Sequence, residues 1–128
     1  MKIERREKEK ATILSLMGDL VYEGIDELEN QFKLSCDDAH HVILDFARTR
    51  YLSANALGIM AFYVKHFRDR QKGLKLINVN ENIKKLLVIT GLLKLIEIFD
   101  DEDAALASLG PQVGKLEKML LWAKKDFI

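Results

Sequence analysis

Short apolar runs, separated by polar residues, mark the first part of the chain. Residues 11–17 (ATILSLM) form one run that ends at a Gly-Asp pair, and residues 42–44 form another that precedes Asp45. Apolar runs of this length, bounded by turn residues, predict buried β-strands. The charged residues 2–10 come directly before the first run, and we expect them to form its exposed hairpin partner.

Apolar residues recur at helical spacing in two longer segments, residues 22–34 and 54–71. The first stripe consists of Ile25, Leu28 and Phe32, and the second of Leu57, Met60, Ala61, Val64 and Phe67. Apolar residues three and four positions apart place one face of a helix on a core. Gly73 follows the second segment and is expected to end that helix.

The remaining pattern alternates strands with helices. Residues 74–79 predict a strand, Asn80 is a suitable N-cap for the helix after it, residues 96–99 predict a last short strand, and residues 100–109 a helix. This order predicts an α/β fold, a mixed central β-sheet of about five strands with four helices, whose crossovers are right-handed.

A Gly-Pro pair at positions 110 and 111 divides the chain into residues 1–110, the domain, and residues 111–128, a C-terminal extension. The extension predicts one extra amphipathic helix, with an apolar stripe of Val113, Leu116, Leu120, Ala123 and Phe127. Such a stripe must be covered, either by its own domain or by a second copy across a two-fold axis. We expect the homodimer.

The composition excludes several classes of protein. Twenty Lys and Arg balance twenty Asp and Glu, so there is no positive field to attract nucleic acid. No apolar run approaches the roughly 18 residues of a membrane span, and the charged start does not fit a secretory signal. The single cysteine, Cys36, cannot form an internal disulfide. A cytoplasmic protein without membrane insertion is expected.

The common catalytic and cofactor motifs are absent from the sequence. There is no glycine-rich phosphate loop, and the adjacent His40 and His41 would point to opposite faces of an extended segment, so we expect no cofactor and no metal. An enzyme would have to be a serine hydrolase using Ser53, but no G-x-S-x-G motif surrounds that residue. We therefore expect a protein that is not an enzyme.

The segment 52–58 (LSANALG) follows the central strand and opens the longest helix. Its small residues would let a partner approach the helix N-terminus, where free amides and the helix dipole favour anions. An ordinary helix start, with Ser53 as N-cap, is the alternative. Local pattern leaves both interpretations open.

Several short motifs occur in a fixed order along the chain. They are Gly18-Asp19-Leu20, Asp45-Phe46, Leu57-Gly58, Thr90-Gly91-Leu92 and Phe99-Asp100. With this ordered set, residues 3–109 resemble the STAS domain, the fold of bacterial anti-sigma factor antagonists. The resemblance implies a STAS-like domain that binds an anti-sigma factor, a kinase-like ATPase, and so frees a sigma factor.

The chain departs from the family pattern where regulated members are phosphorylated. Ser53 occupies the position of the usual aspartate, Ala54 that of the phospho-acceptor, and Asn55 that of the next hydroxyl residue. Alanine cannot accept a phosphate. Either Ser53 serves as the phosphorylation site instead, or this control is lost and the domain binds its partner constitutively.

The resemblance also implies a partner surface around this segment. We expect it to contain Asp19, Leu20, Tyr22, Ser53, Ala54, Asn55 and Leu57. Ile59, Phe62 and Tyr63 either supply apolar anchors beside it or are buried. The alternative function is a STAS subunit of a transporter or of a larger signalling assembly, acting on a neighbouring ATPase.

Deleting residues 111–128 is predicted to convert a dimer into a monomer, because the apolar stripe of the extension would join the two copies. Light scattering on the full chain and on the truncated chain measures the change. A full-length chain that is already monomeric at high concentration, or a truncated chain that stays dimeric, would contradict this prediction.

Overall fold

The computed structural model describes residues 2–8, 10–21, 24–36 and 40–109. A five-stranded sheet, in the order β1-β2-β3-β4-β5, forms the centre of this part of the chain. Its strands are β1 Lys2–Glu7, β2 Ala11–Met17, β3 His41–Asp45, β4 Leu74–Ile77 and β5 Glu97–Phe99. The first two strands form an antiparallel hairpin, and every later neighbour pair is parallel.

Four α-helices lie along the described residues, together with one 3₁₀ turn. They are α1 Gly24–Leu34, α2 Ala54–Asp69, α3 Glu81–Thr90 and α4 Glu102–Ser108, and the turn is Leu92–Lys94. The predicted mixed sheet of five strands with four helices is therefore confirmed, in the predicted order. No helix in this described part is long and apolar enough to cross a bilayer.

Two predicted element ends are wrong, and both for the same backbone reason. The second helix ends at Asp69, because Gln71 adopts a left-handed φ of 61° before Gly73 is reached. Strand β4 ends at Ile77, because Asn78 has a φ of 58°. Non-glycine residues seldom adopt a positive φ, so a prediction that relies on glycine to mark the end of an element misses these two positions. Gly73 instead donates its amide to Nδ1 of His41 at 2.8 Å.

The alternation of β2 divides the apolar residues between the two faces of the sheet. Leu14 and Leu16 belong to the large core that also contains buried residues of α1, α2 and α3. Ala11 and Ile13 belong to a smaller cluster on the other face, together with Ala105 of α4. Successive strand residues point to opposite faces, so a single strand supplies both cores.

Aromatic packing fixes α2 on the larger core. The ring of Phe32 in α1 lies 5.1 Å from that of Tyr63 and 5.8 Å from that of Phe67, both in α2. All three side chains are buried or nearly so. Ring pairs at these distances add to the energy of apolar burial. The contacts hold the two helices together and so set the position of the N-terminus of α2.

The extension 111–128, its predicted extra helix and the homodimer built on it lie outside the described residues. The domain boundary at position 110 stays a prediction.

Candidate partner-binding site

The loop of residues 46–53, here called the α2 loop, joins β3 to α2 beside the chain that leaves β2. Leu20 donates its amide to the carbonyl of Tyr51 at 3.1 Å, and Ser53 donates its amide to the carbonyl of Leu20 at 2.8 Å. Leu20 and Leu52 thereby form an isolated parallel bridge. This pairing continues the parallel sheet past the ends of β2 and β3 and fixes where α2 begins.

Asp19 holds the α2 loop from the same side. Its Oδ1 accepts hydrogen bonds from the amide of Arg50 at 2.7 Å and the amide of Tyr51 at 3.3 Å. The hydroxyl of the buried Thr49 donates to the carbonyl of Gly18 at 2.9 Å. Side-chain bonds to backbone groups order a loop that has no regular structure of its own.

Asn80 holds the loop from the other side. Its side-chain amide lies 3.3 Å from the carbonyl oxygens of both Thr49 and Arg50, and its Oδ1 accepts from the amide of Ile83 at 2.9 Å. The second bond confirms the predicted N-cap of α3. The first two were not predicted from the sequence, because about thirty residues separate the partners and no local pattern relates them.

Ser53 is the N-cap of α2. It has extended backbone angles, φ −83° and ψ 166°, and its Oγ accepts a hydrogen bond from the amide of Ala56 at 3.2 Å. This is the ordinary helix start that the sequence left open, and it satisfies one of the free amides of the first turn. The cap leaves Ala54 and Asn55 exposed at the beginning of the helix.

The predicted partner residues divide into exposed and buried groups. Ala54 and Asn55 are exposed, and Ser53 and Asp19 are partly exposed. Leu20 is completely buried and Leu57 is only 9% exposed. They belong to the core beneath the site and position it. Tyr22 lies outside the described residues.

The exposed apolar residues extend the site beyond the predicted set. Tyr51 is exposed within the α2 loop and Val21 is exposed after β2, and the sequence pattern does not predict either, because isolated apolar residues in loops carry no periodic signal. Phe62 is 62% exposed, whereas Tyr63 is buried and Ile59 is half-buried. Of the three anchors considered from the sequence, Phe62 is thus the available one.

A shallow groove of about 400 Å³ runs between α1 and α2 next to these residues. Ile25 and Glu29 of α1 form one wall, and Gly58, Ile59 and Phe62 of α2 form the other. Burial, with the nearby charge of Glu29 adding to it, raises the pKa of Tyr63, whose side chain also lines the groove. The groove is therefore apolar along α2 with a carboxylate on the α1 side.

The histidines of the described residues contact groups other than Ser53. Across the described ranges, no three His, Cys, Asp or Glu side chains come together as potential ligands. The three histidines have other neighbours: Nδ1 of His40 lies 3.1 Å from Glu7, His41 accepts from Gly73, and the ring of His66 lies next to Arg70.

The sequence matches a known family over most of its length. The sequence model of the STAS domain matches residues 2–105. The anti-sigma F factor antagonist of Paenibacillus polymyxa is 23% identical to this chain over 111 residues, which cover 85% of this chain and 95% of the relative.

Solved structures show the same fold. The anti-sigma-factor antagonist (STAS) domain protein from Planctomyces limnophilus has a TM-score of 0.75 at 15% identity, over 84% of this chain and 97% of that chain. The anti-sigma factor antagonist SpoIIAA, in its unphosphorylated form, has a TM-score of 0.73 at 14% identity, over 86% of this chain and 98% of that chain. The fold class predicted from the ordered motifs is confirmed.

Replacing Asp19 by Ala is predicted to loosen the α2 loop, because two backbone amides lose their acceptor. We expect a loss of about 1–2 kcal/mol in the free energy of unfolding and faster hydrogen exchange at the amides of Arg50 and Tyr51. Asp19→Asn is the matched control, since it keeps Oδ1. Unchanged exchange at both amides in Asp19→Ala would show that the carboxylate does not hold the loop.

Proposed function

The chain belongs to the STAS domain family, and we propose that it is an anti-sigma factor antagonist that binds its anti-sigma factor through the surface around the start of α2. In this proposal it is a binding module without catalytic activity. The name of the Paenibacillus polymyxa relative supports the partner class. The organisation of the α2 loop supports the location.

The observation that carries the proposal is an ordered loop that presents exposed, small residues at a helix start. The pairing of Leu20 with Leu52, the carboxylate of Asp19 and the amide of Asn80 all hold the loop in place. A surface that is already ordered loses little conformational entropy on binding. Ala54 and Asn55 lie at its centre, with the exposed Phe62 two turns further along α2.

Gly58 supports the same location by a separate argument. Glycine in the interior of a helix is less stable than alanine by roughly 1 kcal/mol. A Cβ atom added at Gly58 would meet nothing within 4 Å, so packing inside the domain does not require glycine there. Gly58 is exposed and lines the groove. A partner whose backbone approaches α2 closely at this position would require it.

The proposed binding is constitutive. Ala54 has no hydroxyl, and Ser53 already uses its oxygen to cap α2. Adding a phosphate to Ser53 would replace that cap, although the helix dipole would favour the new charge. The cap role and the missing acceptor together favour a domain that is not switched off by phosphorylation.

A second candidate function is a STAS subunit of a transporter or of a larger signalling assembly, beside an ATPase. The alanine at position 54 favours it, because such a role does not require a phosphorylation switch. A pull-down separates the two candidates: recovery of a small histidine-kinase-like ATPase supports the anti-sigma factor antagonist, and recovery of a transporter ATPase supports the alternative.

The proposal includes a homodimer, in which two copies of the chain pair through residues 111–128. It rests on the apolar stripe of that segment.

Ala54→Asp is predicted to weaken binding of the recovered ATPase far more than Ser53→Ala does. The aspartate puts a fixed negative charge at the centre of the surface, whereas loss of the Ser53 hydroxyl removes a cap worth about 0.5–2 kcal/mol of stability. Titration calorimetry measures both affinities. Near-wild-type affinities for both variants would place the interface elsewhere.

Incubation with the same ATPase and ATP is predicted to leave position 54 without phosphate and to confine any modification to Ser53. The reason is the missing hydroxyl at the acceptor position. Mass spectrometry of the digested protein locates the phosphate, and a high yield on Ser15 or Thr49 would contradict the alignment of the loop.

Gly58→Ala is predicted to raise stability while lowering affinity. The added methyl group removes the roughly 1 kcal/mol helix cost of glycine, yet it occupies the space into which the partner approaches. Thermal unfolding and calorimetry on the same sample measure the two effects. Ala54→Gly serves as the inverse control, because it should lower stability without adding bulk. Equal or tighter binding by Gly58→Ala would exclude close approach at this position.

A further inference from the structure

A second exposed apolar surface lies on α3, and the proposed function does not use it. It consists of Val88 and Ile89 at the end of the helix and Leu93 in the 3₁₀ turn, here called the α3 patch. Ile89 is 78% exposed, while Ile83 and Leu87 cover the core from the opposite side of the helix. Burial of the inner stripe alone would stabilise α3, so the outer apolar residues are not needed for the core.

The local backbone brings Leu93 to the patch. Gly91 adopts a left-handed φ of 79° and ends α3, and the chain then turns so that Leu92 enters the core. Leu93, the next residue, is left outside beside the helix end. The patch is therefore built from two segments that a tight turn joins.

The charged residues within residues 84–94 are all lysines. Lys85 lies one helical turn before Ile89, Lys84 one turn before Val88, and Lys94 directly after Leu93. The acidic residue in residues 81–94 is Glu81, whose carboxylate lies 3.7 Å from the ammonium group of Lys84. Glu97, the next acidic residue along the chain, is paired with Lys75. The apolar centre thus has a basic rim.

The α3 patch lies at the other end of the sheet from the α2 loop. Helix α3 starts after the carboxyl end of β4 and returns the chain to the amino end of β5, and these two strands are parallel. The end of the helix is therefore at the edge where the parallel strands begin. The α2 loop follows the carboxyl end of β3. A molecule on the patch leaves the start of α2 free.

We propose that the α3 patch binds an amphipathic helix of another protein whose apolar stripe is flanked by Asp and Glu. The apolar stripe covers Val88, Ile89 and Leu93, and the acidic flanks face the lysines. The chain then contacts two proteins at once, one at each end of its sheet. This inference does not depend on the identity of the partner at the α2 loop.

The charge pattern disfavours the two other occupants that the chain itself could supply. A second copy paired through the same patch would bring the lysines of both copies together around the two-fold axis. The segment 112–128 carries four lysines and two acidic residues, so its polar positions would also oppose the basic rim. The basic rim would attract an acidic partner, whereas it would repel both a second copy and the segment 112–128.

Two synthetic peptides of about 16 residues test the proposal with the full-length, isotope-labelled chain. Both carry the same leucine stripe at helical spacing, flanked by Glu in one peptide and by Lys in the other. We expect the Glu peptide to shift the amide resonances of residues 84–94 and not those of residues 53–62. The Lys peptide should bind at least about tenfold more weakly.

Variants locate the contact. Ile89→Glu should weaken the Glu peptide at least about tenfold, and the double variant Lys85→Glu with Lys94→Glu should do the same. Leu34→Glu is the matched control, because Leu34 is 63% exposed and belongs to α1, a different helix from that of the patch. It should bind like the wild-type chain, as should Ala54→Asp.

Four results would overturn the proposal. Equal affinities for the Glu and Lys peptides would remove the role of the basic rim, and a shift map centred on the α2 loop would place the peptide elsewhere. Resonances of residues 84–94 that move with protein concentration alone would identify a second copy as the occupant. Resonances there that move on deletion of residues 111–128 would identify the extension.

Discussion

The parallel pairing of Leu20 with Leu52 is the contact on which the candidate site depends. Residues 46–53 between β3 and α2 form no strand, yet α2 must begin at a defined place. The bridge extends the β2–β3 ladder, and Asp19 then ties the adjacent amides of Arg50 and Tyr51. Because both leucines are buried, the large core stabilises the surface above it. The exposed residues are held in place by residues that are buried beneath them.

Two residues of the surface around the start of α2 are not those that would give the domain its highest stability. Gly58 stands inside a helix where alanine would fit, and Phe62 exposes most of its ring instead of burying it. Sequences normally satisfy helix propensity and apolar burial together, and exceptions concentrate where a protein acts. The α3 patch likewise exposes an apolar side chain, that of Ile89. Gly58 has room for a methyl group and Ile89 is 78% exposed, which favours both surfaces as binding sites for other molecules.

Periodicity and the ordered motifs were sufficient to predict the fold, but the orientation of individual side chains at the site was not predictable from them. Leu20 and Leu57 stand within the motifs and were therefore assigned to the partner surface, although each points into the core. The bonds from Asn80 to the α2 loop join residues about thirty positions apart and leave no local pattern. The ends of α2 and β4 were not predictable either, because Gln71 and Asn78 adopt left-handed conformations at positions where the pattern of apolar residues continues.

Alanine at position 54 bears on how the binding of a partner could be controlled. A phosphorylated antagonist would be withdrawn from binding by a change in its affinity, whereas a chain that is not phosphorylated, as proposed for this one, would keep one affinity. The fraction of partner that it occupies then follows from the concentrations of the two proteins. A second surface at the opposite end of the sheet offers a different route to control, because a protein bound at the α3 patch sets where the domain is held and hence its effective concentration near the first partner. Control through the α3 patch would thus act on the location and the amount of the domain.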